Sequence, residues 1–256
     1  MFQLMVQKLL HKKWMMLSLL VGIVLLVAVA TSHVMYQDAS LSWMLQEAFD
    51  AYVAVHNEDP GLLTINGRIA KDSTDDTDYL RAEALSQTIC EFLGLAQKNK
   101  ICFKSLEKTT VISQISKANK DPESKISIAS MSELADHVKL ISGRIYGDEQ
   151  SKDGCVEAVV TLKAAIERDY LVDEIVDFKY LKDPKGNPLK AKIVGIVTWA
   201  DSTDDYWIFS PDEYQEQVFV SDRMYDWVCG DNVKKYGQST KWYLTFDYSQ
   251  IDYRDT

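Results

Sequence analysis

The chain has 256 residues, 46% of them apolar and 26% charged, with a net charge of −10. Its first 30 positions hold Lys8, Lys12 and Lys13 and no acid, so the remainder carries 25 Lys and Arg against 38 Asp and Glu, a net of −13. A surface this acidic suits solubility and excludes nucleic acid as a partner, because phosphate backbones select basic faces.

In chain order, residues 1–13 read MFQLMVQKLLHKK. Phe2, Met5, Val6, Leu9 and Leu10 recur at helical spacing, the pattern of a short amphipathic segment on the cytoplasmic leaflet. Trp14 to Ala30 then runs for 17 residues without a charge and continues through Thr31 and Ser32 toward Met35. About 20 residues span the hydrocarbon layer, so residues 14–35 are expected to form one transmembrane helix. His11, Lys12 and Lys13 before it and Asp38 after it place the N-terminus in the cytoplasm and residues from about 36 onward outside. A cleaved signal peptide is the rival reading, with Ala28-Val29-Ala30 as the cleavage site. The apolar run is too long for the usual signal core, and both readings export the rest of the chain.

Apolar residues at 41, 44, 45, 48, 52 and 55 predict a helix over 41–56 that continues the membrane helix as a stalk. Residues 61–72 are expected to be short and extended, with a turn at Asn66-Gly67. Residues 73–99 read as a second helix, capped by Ser73 or Thr74 and favoured at its positive end by Asp75, Asp76 and Asp78. The two helices suggest a hairpin near the membrane, within an extracellular stalk region spanning 36–99.

From 100 to 256 the pattern predicts an extracellular domain with a mixed sheet and short helices. Strands are expected at Cys102 to Ile115, Lys125 to Met131, Val156 to Leu162, Glu174 to Leu181, Lys190 to Trp199 and Trp242 to Tyr248. Helices are expected over 132–139, 163–169, 211–217 and 221–229, and Asp183-Pro184-Lys185-Gly186 reads as a turn. The fold class is therefore α+β behind an N-terminal transmembrane helix and a helical stalk.

Motifs of chemistry are missing. There is no HExxH, GxSxG or phosphate-binding loop, and the histidines are His11, His33, His56 and His137. His137 is expected to be exposed on its helix, and nothing singles out Glu157 and Glu167 as an acid pair. Asp-Ser-Thr-Asp-Asp occurs at 72–76 and again at 201–205. Neither copy has calcium-loop spacing, so a helix cap and a solvated loop account for them. Cys90, Cys102, Cys155 and Cys229 lack CxxC spacing, which argues against zinc and leaves free thiols and disulfides both open. No catalytic, cofactor-binding or metal-binding residue is assigned, and no enzymatic activity is expected.

The order of segments resembles FtsX/MacB-like ABC-transporter permeases, in the large versions of Gram-positive bacteria. The likeness is carried by MLQEAFDAYVAVHNEDPGL at 44–62, ISIASMSELADHVKLISGRIY at 126–146, EAVVTLKAAIERDYLVDEIVDF at 157–178, LKAKIVGIVTWADSTDDYW at 189–207 and KWYLTFDYSQID at 241–252. The stretch Leu171-Val172-Asp173-Glu174 departs from it by lacking a turn glycine. The resemblance implies a permease subunit, or the N-terminal part of one. A separate cytoplasmic ATPase would drive its membrane helices and move the outside domain, for export, extraction or signalling. It also implies further membrane helices beyond residue 256, and a second permease copy or an extracellular protein as additional partners. The alternative is a standalone single-pass binding or sensor protein, with Trp199, Trp207, Trp227 and Trp242 forming a ligand surface. A membrane-tethered hydrolase is a third reading.

Overall fold

A computed structural model describes residues 13–56, 59–73, 75–113, 125–151, 153–201 and 204–250. The amphipathic segment expected at 1–13 lies outside them except for Lys13. The described chain forms two units, one made of residues up to Pro60 with the segment from Ser249, the other of Gly61–Tyr248.

The first unit is dominated by one helix, α1 (Lys13–His56, 44 residues). At 1.5 Å per residue it is about 66 Å long, roughly twice the hydrocarbon thickness of a bilayer. The expected membrane and stalk helices are thus one uninterrupted element. Its sequence explains the continuity, since no glycine or proline occurs from Ile23 through His56. Polar side chains in the apolar part are satisfied within the helix: Thr31 Oγ1 donates to Val27 O at 2.9 Å and Ser32 Oγ to Val29 O at 3.0 Å.

The second unit is a ten-stranded mixed sheet with helices on it. Its strands are β1 (Leu62–Ile69), β2 (Gln97–Leu106), β3 (Thr109–Ser113), β4 (Lys125–Met131), β5 (Val138–Gly143), β6 (Val156–Thr161), β7 (Ile175–Lys182), β8 (Pro188–Trp199), β9 (Gln217–Phe219) and β10 (Gln238–Phe246). They lie in the order β1-β10-β2-β4-β3-β7-β8-β6-β9, and β5 pairs with β8. A parallel pairing of β4 with β9 joins the two ends of the stretch from β4 to β9 into a hydrogen-bonded circuit of six strands. The helices are α2 (Thr77–Leu93), α3 (Leu134–His137), α4 (Leu162–Arg168) and α5 (Asp222–Tyr236).

Alternation along the strands builds separate cores. Val156, Ala158 and Val160 of β6 and Ala191 and Ile193 of β8 meet Tyr225 and Val228 of α5 in one cluster. Val159, Val194 and Val197 face the other way, with Phe103, Tyr214 and Tyr243. Ile65, Trp242 and Leu244 form a third cluster, covered by Tyr79, Ala82 and Ile89 of α2. Local chemistry fixes the short helices. Thr161 accepts a hydrogen bond from Ala164 N to start α4, and Ser221 accepts one from Met224 N to start α5.

Several sequence expectations are corrected. No tight turn joins the first two helices, because β1 stands between them and pairs along its length with β10. The compact unit Gly61–Tyr248 takes in β1 and α2 together with the strands after residue 100. Asn66-Gly67 lies inside β1. The glycine is there because the Trp242 ring covers it: a Cβ would stand 2.9 Å from Trp242 Cζ3. The helix expected to reach residue 99 stops at Leu93, where Gly94 takes φ 64 and its N–H returns to Cys90 O. Its start is held by Asp75, whose carboxylate accepts from Thr77 N at 2.9 Å. The single strand expected over 102–115 is two, β2 and β3, broken at Glu107-Lys108, and residues 114 and 115 lie outside the described residues. The helix expected over 132–139 is the single turn α3, followed by β5. The segment expected as a helix over 211–217 is one 3-10 turn, Pro211–Tyr214, leading into β9. All four cysteines are free thiols, with Cys155 and Cys229 buried.

One buried group makes a prediction. Tyr170 is 3% exposed and its hydroxyl has no hydrogen-bond partner among the described residues. Burial pushes its phenol up to about 12. Tyr170→Phe removes only this unsatisfied group, so stability is expected to stay equal or rise by up to about 1 kcal/mol. Urea unfolding of the two proteins side by side checks it, and a loss of stability would show that the hydroxyl is bonded.

Candidate functional site

Three features stand out as more than scaffold. The first is the apolar half of α1. Its side chains from Trp14 to Val29 are exposed, with Trp14 78%, Leu26 71% and Val29 66% accessible. Among the described residues this is the one helix long and apolar enough to cross a membrane. The face all round the helix is apolar, as for a span and unlike a helix packed on one side. Beyond Met35 the helix turns mixed, with Glu47, Asp50 and Gln46 among its residues.

The second is a close crossing of β5 and β8. Gly143 and Gly195 are register partners in this antiparallel pair. Gly143 has φ 80, and a Cβ on it would collide with Val194 O and stand 3.0 Å from Gly195 Cα. A Cβ on Gly195 would collide with Arg144 O. The pairing slips register on both sides of this point, between Leu140 and Ser142 toward β5 and between Ala158 and Val159 toward β6. The crossing delivers Arg144 to Glu157 of β6. Arg144 Nη1 donates to Glu157 Oε2 at 2.6 Å, Nη2 donates to Oε1, and Gly147 N donates to Oε2 at 3.0 Å. The Arg144 hydrogen bonds hold the Glu157 carboxyl below the ordinary carboxylate range, against the opposing push of burial. Glu157 is therefore a structural acceptor. Glu167 is placed elsewhere, on α4, and the two make no acid pair.

The third is an aromatic corner around α3. His137 Nδ1 lies 2.7 Å from Asp204 Oδ2, and its ring stacks on Tyr206 at 3.9 Å and 2°. Tyr206 OH donates to Ser132 O at 2.7 Å, and Trp207 Nε1 donates to His137 O at 3.3 Å. His137 is thus half-buried and engaged, contrary to the exposed position its helix suggested. Burial opposes but does not outweigh the bonds from His137 and Tyr206 N, which leave Asp204 below its ordinary range. These bonds also explain the second Asp-Ser-Thr-Asp-Asp copy: its aspartate pins a loop to α3. Of that copy, residues 202 and 203 lie outside the described residues.

The four tryptophans do not form one surface. Trp199 and Trp207 meet edge to face at 6.5 Å in the aromatic corner. Trp242 is 5% exposed in the core under α2, and Trp227 packs against the cluster around Tyr225. Among the described residues no group of three or more His, Cys, Asp and Glu side chains is arranged to hold a metal. The sequence signal for the glycine crossing was present in two quoted stretches, GRIY at 143–146 and IVGIV at 193–197, but not that they would be register partners.

No family model matches the chain, and no curated protein matches it. Solved structures give similarities at low identity. The periplasmic region of MacB from Actinobacillus actinomycetemcomitans aligns with a TM-score of 0.39 and 10% identity over 78% of this chain and 80% of that one. A domain of a protein described as a permease, from Porphyromonas gingivalis, aligns with a TM-score of 0.34 and 11% identity over 73% of this chain and 76% of that one.

Proposed function

We propose that this chain is the membrane-spanning and outward-facing part of a permease subunit of the FtsX/MacB type, working with a separate cytoplasmic ATPase. The observation that carries the reading is the continuity of α1. A protein that needs only a tether is served by a flexible linker after its span. Here the helix runs on for about 20 residues past the apolar stretch without a glycine or proline, and only five residues separate His56 from the body's first strand at Leu62. A continuous helix transmits tilt and translation of its membrane half to the segment beyond it. The order of the quoted stretches, which resembles that family, supports the same reading.

In this reading the N-terminus faces the cytoplasm, because Lys8, Lys12 and Lys13 precede the span and Asp38 follows it. The ATPase would act at the cytoplasmic end, and the body of Gly61–Tyr248 would respond outside. The chain would carry force and have no catalytic chemistry of its own. Trp199 and Trp207 would stabilise the corner around His137 and Asp204; they would not bind a ligand. A second copy of the permease, or an extracellular protein, would complete the assembly.

The full chain, isolated from its native membranes in mild detergent, is expected to bring down an ABC-type ATPase subunit with vanadate-sensitive hydrolysis. Leu25→Arg adds about 3 kcal/mol to the cost of membrane insertion and is expected to abolish both anchoring and that association. Isolation of the anchored, folded chain with no ATPase activity would overturn the proposal.

A further inference from the structure

The hairpin of β7 and β8 and the helix α5 enclose a cleft of about 370 Å³ lined by Tyr180, Lys182, Asp183, Gly230, Asn232 and Lys235, among others. Its walls are tied together. Asn232 Nδ2 donates to Lys182 O at 2.7 Å and to Val228 O at 2.7 Å, and Tyr236 OH donates to Tyr180 O. The helix wall is broken where Gly230 takes φ 10 and ψ −114, which opens α5 at the cleft.

The charge here runs against the rest of the molecule. Lys182 and Lys235 line the cleft, Lys234 adjoins the second in sequence, and Lys179 and Lys185 stand three positions either side of the first. No described carboxylate lies within ion-pair distance of any of these five. Lysines further along β8 are neutralised instead: Lys190 by Asp177 at 3.5 Å and Lys192 by Asp173 at 2.9 Å. Two of the five are steadied over rings, Lys179 on Tyr180 at 5.3 Å and Lys235 on Tyr236 at 5.2 Å. The acid in the lining, Asp183, is turned to its own loop. Its carboxylate accepts from Lys185 N, Asn187 N and Asn187 Nδ2 at 2.9, 2.7 and 3.1 Å, and of the five lysines the Lys185 charge also acts on it.

We propose that this cleft binds a phosphate or phosphodiester group, presented by a soluble phosphate compound or by a lipid headgroup. Spread ammonium groups act as point charges and suit a multivalent anion whose charge is shared over several oxygens. A planar carboxylate is better matched by the guanidinium fork, and no arginine lines this cleft. A volume near 370 Å³ admits a headgroup or a small phosphate ester. The proposal is independent of the permease reading, since it concerns a wall of the outer body and no property of the span.

The test uses the full chain in a neutral detergent, titrated with inorganic phosphate, with acetate, and with mixed micelles containing phosphatidylglycerol or phosphatidylcholine. Binding is expected for phosphate or for the phosphatidylglycerol micelles, and to weaken as salt rises. Phosphate binding assigns a soluble source, and binding confined to phosphatidylglycerol assigns a headgroup. The Lys182→Glu/Lys235→Glu protein is expected to lose about tenfold or more in affinity, the loss of charge-assisted hydrogen bonds. Lys139→Glu/Lys163→Glu makes the same change in net charge away from the cleft and is expected to lose less than about twofold. Lys182→Gln/Lys235→Gln keeps the test open if the reversed protein does not fold. Equal binding in the cleft and control variants, acetate binding as tight as phosphate, or no saturation by any phosphate probe would each overturn the proposal.

Discussion

Gly195→Ala is expected to cost the Gly61–Tyr248 unit about 3 kcal/mol, and to lower its melting temperature by about 10 °C. The added methyl has nowhere to go. It would meet Arg144 O, and the neighbouring positions, Arg144 C and Leu140 Cδ1, lie 3.1 and 3.2 Å from the same point. Backbone atoms cannot swing aside as a long side chain does, so the strand pair would have to part. Gly143→Ala on the partner strand is expected to be at least as damaging. It adds the penalty of a side chain at φ 80, about 1 kcal/mol, to a collision with Val194 O and a 3.0 Å approach to Val172 Cγ1. Gly154→Ala separates the two effects. Gly154 has φ 73 but nothing within 4 Å of a Cβ, so its substitution should cost the backbone term alone. Thermal unfolding of the three variants, followed by circular dichroism in detergent, gives the comparison. If Gly195→Ala melts with the parent protein, β5 and β8 do not cross this closely.

That crossing also shows what the sequence could and could not convey. The strand Lys190 to Trp199 was legible because a continuous apolar run in a buried strand has no competing pattern, and β6 was legible for the same reason. Their partner β5 was not. Lys139 to Gly143 are all exposed, so Val138-Lys139-Leu140-Ile141-Ser142 carries no alternation, and the helix expected over 132–139 takes in only its first two residues. β9, three residues long, is too short to show a period, yet it joins the strand circuit through β4. Asn66-Gly67 misleads in the opposite way. The dipeptide is a strong turn signal, but here the glycine makes room for a tryptophan 175 positions away in sequence, a contact that no local window contains. Leu171 to Glu174 has no glycine, and Asp173 takes φ 70 there, a conformation that aspartate tolerates better than most residues. The lysine-lined cleft was invisible because its two lysines, Lys182 and Lys235, stand far apart in sequence and only the fold brings them together.

Arg144→Met is the second substitution with a large expected effect, and its size depends on pH. Arg144 is half exposed while the Glu157 side chain is 10% exposed, so the pair sits at the boundary between a surface bridge and a buried one. Removing the guanidinium leaves the carboxylate with the Gly147 N–H and little water. The expected cost at neutral pH is about 2 kcal/mol, below the range for fully buried pairs because solvent reaches the arginine side. The Arg144 hydrogen bonds lower the folded-state carboxyl below its usual value of 4.5. A group depressed in this way contributes stability that is present above the unfolded value and is lost as pH falls through the folded one. In Arg144→Met the arginine's share of the depression is gone while burial and the Gly147 N–H remain, so the variant's carboxyl takes up its proton at higher pH than the parent's. The stability gap between the two proteins should therefore be largest near neutrality and close as pH drops below about 4.5. Adding Glu157→Gln to Arg144→Met should recover part of the neutral-pH loss, because an uncharged amide costs less to bury than an unpaired carboxylate. Denaturant unfolding of the parent, both single variants and the double variant, repeated across that pH range, measures the coupling directly. A gap that stays constant with pH would mean that Arg144 supports the β5–β8 crossing by packing and not by its charge on Glu157.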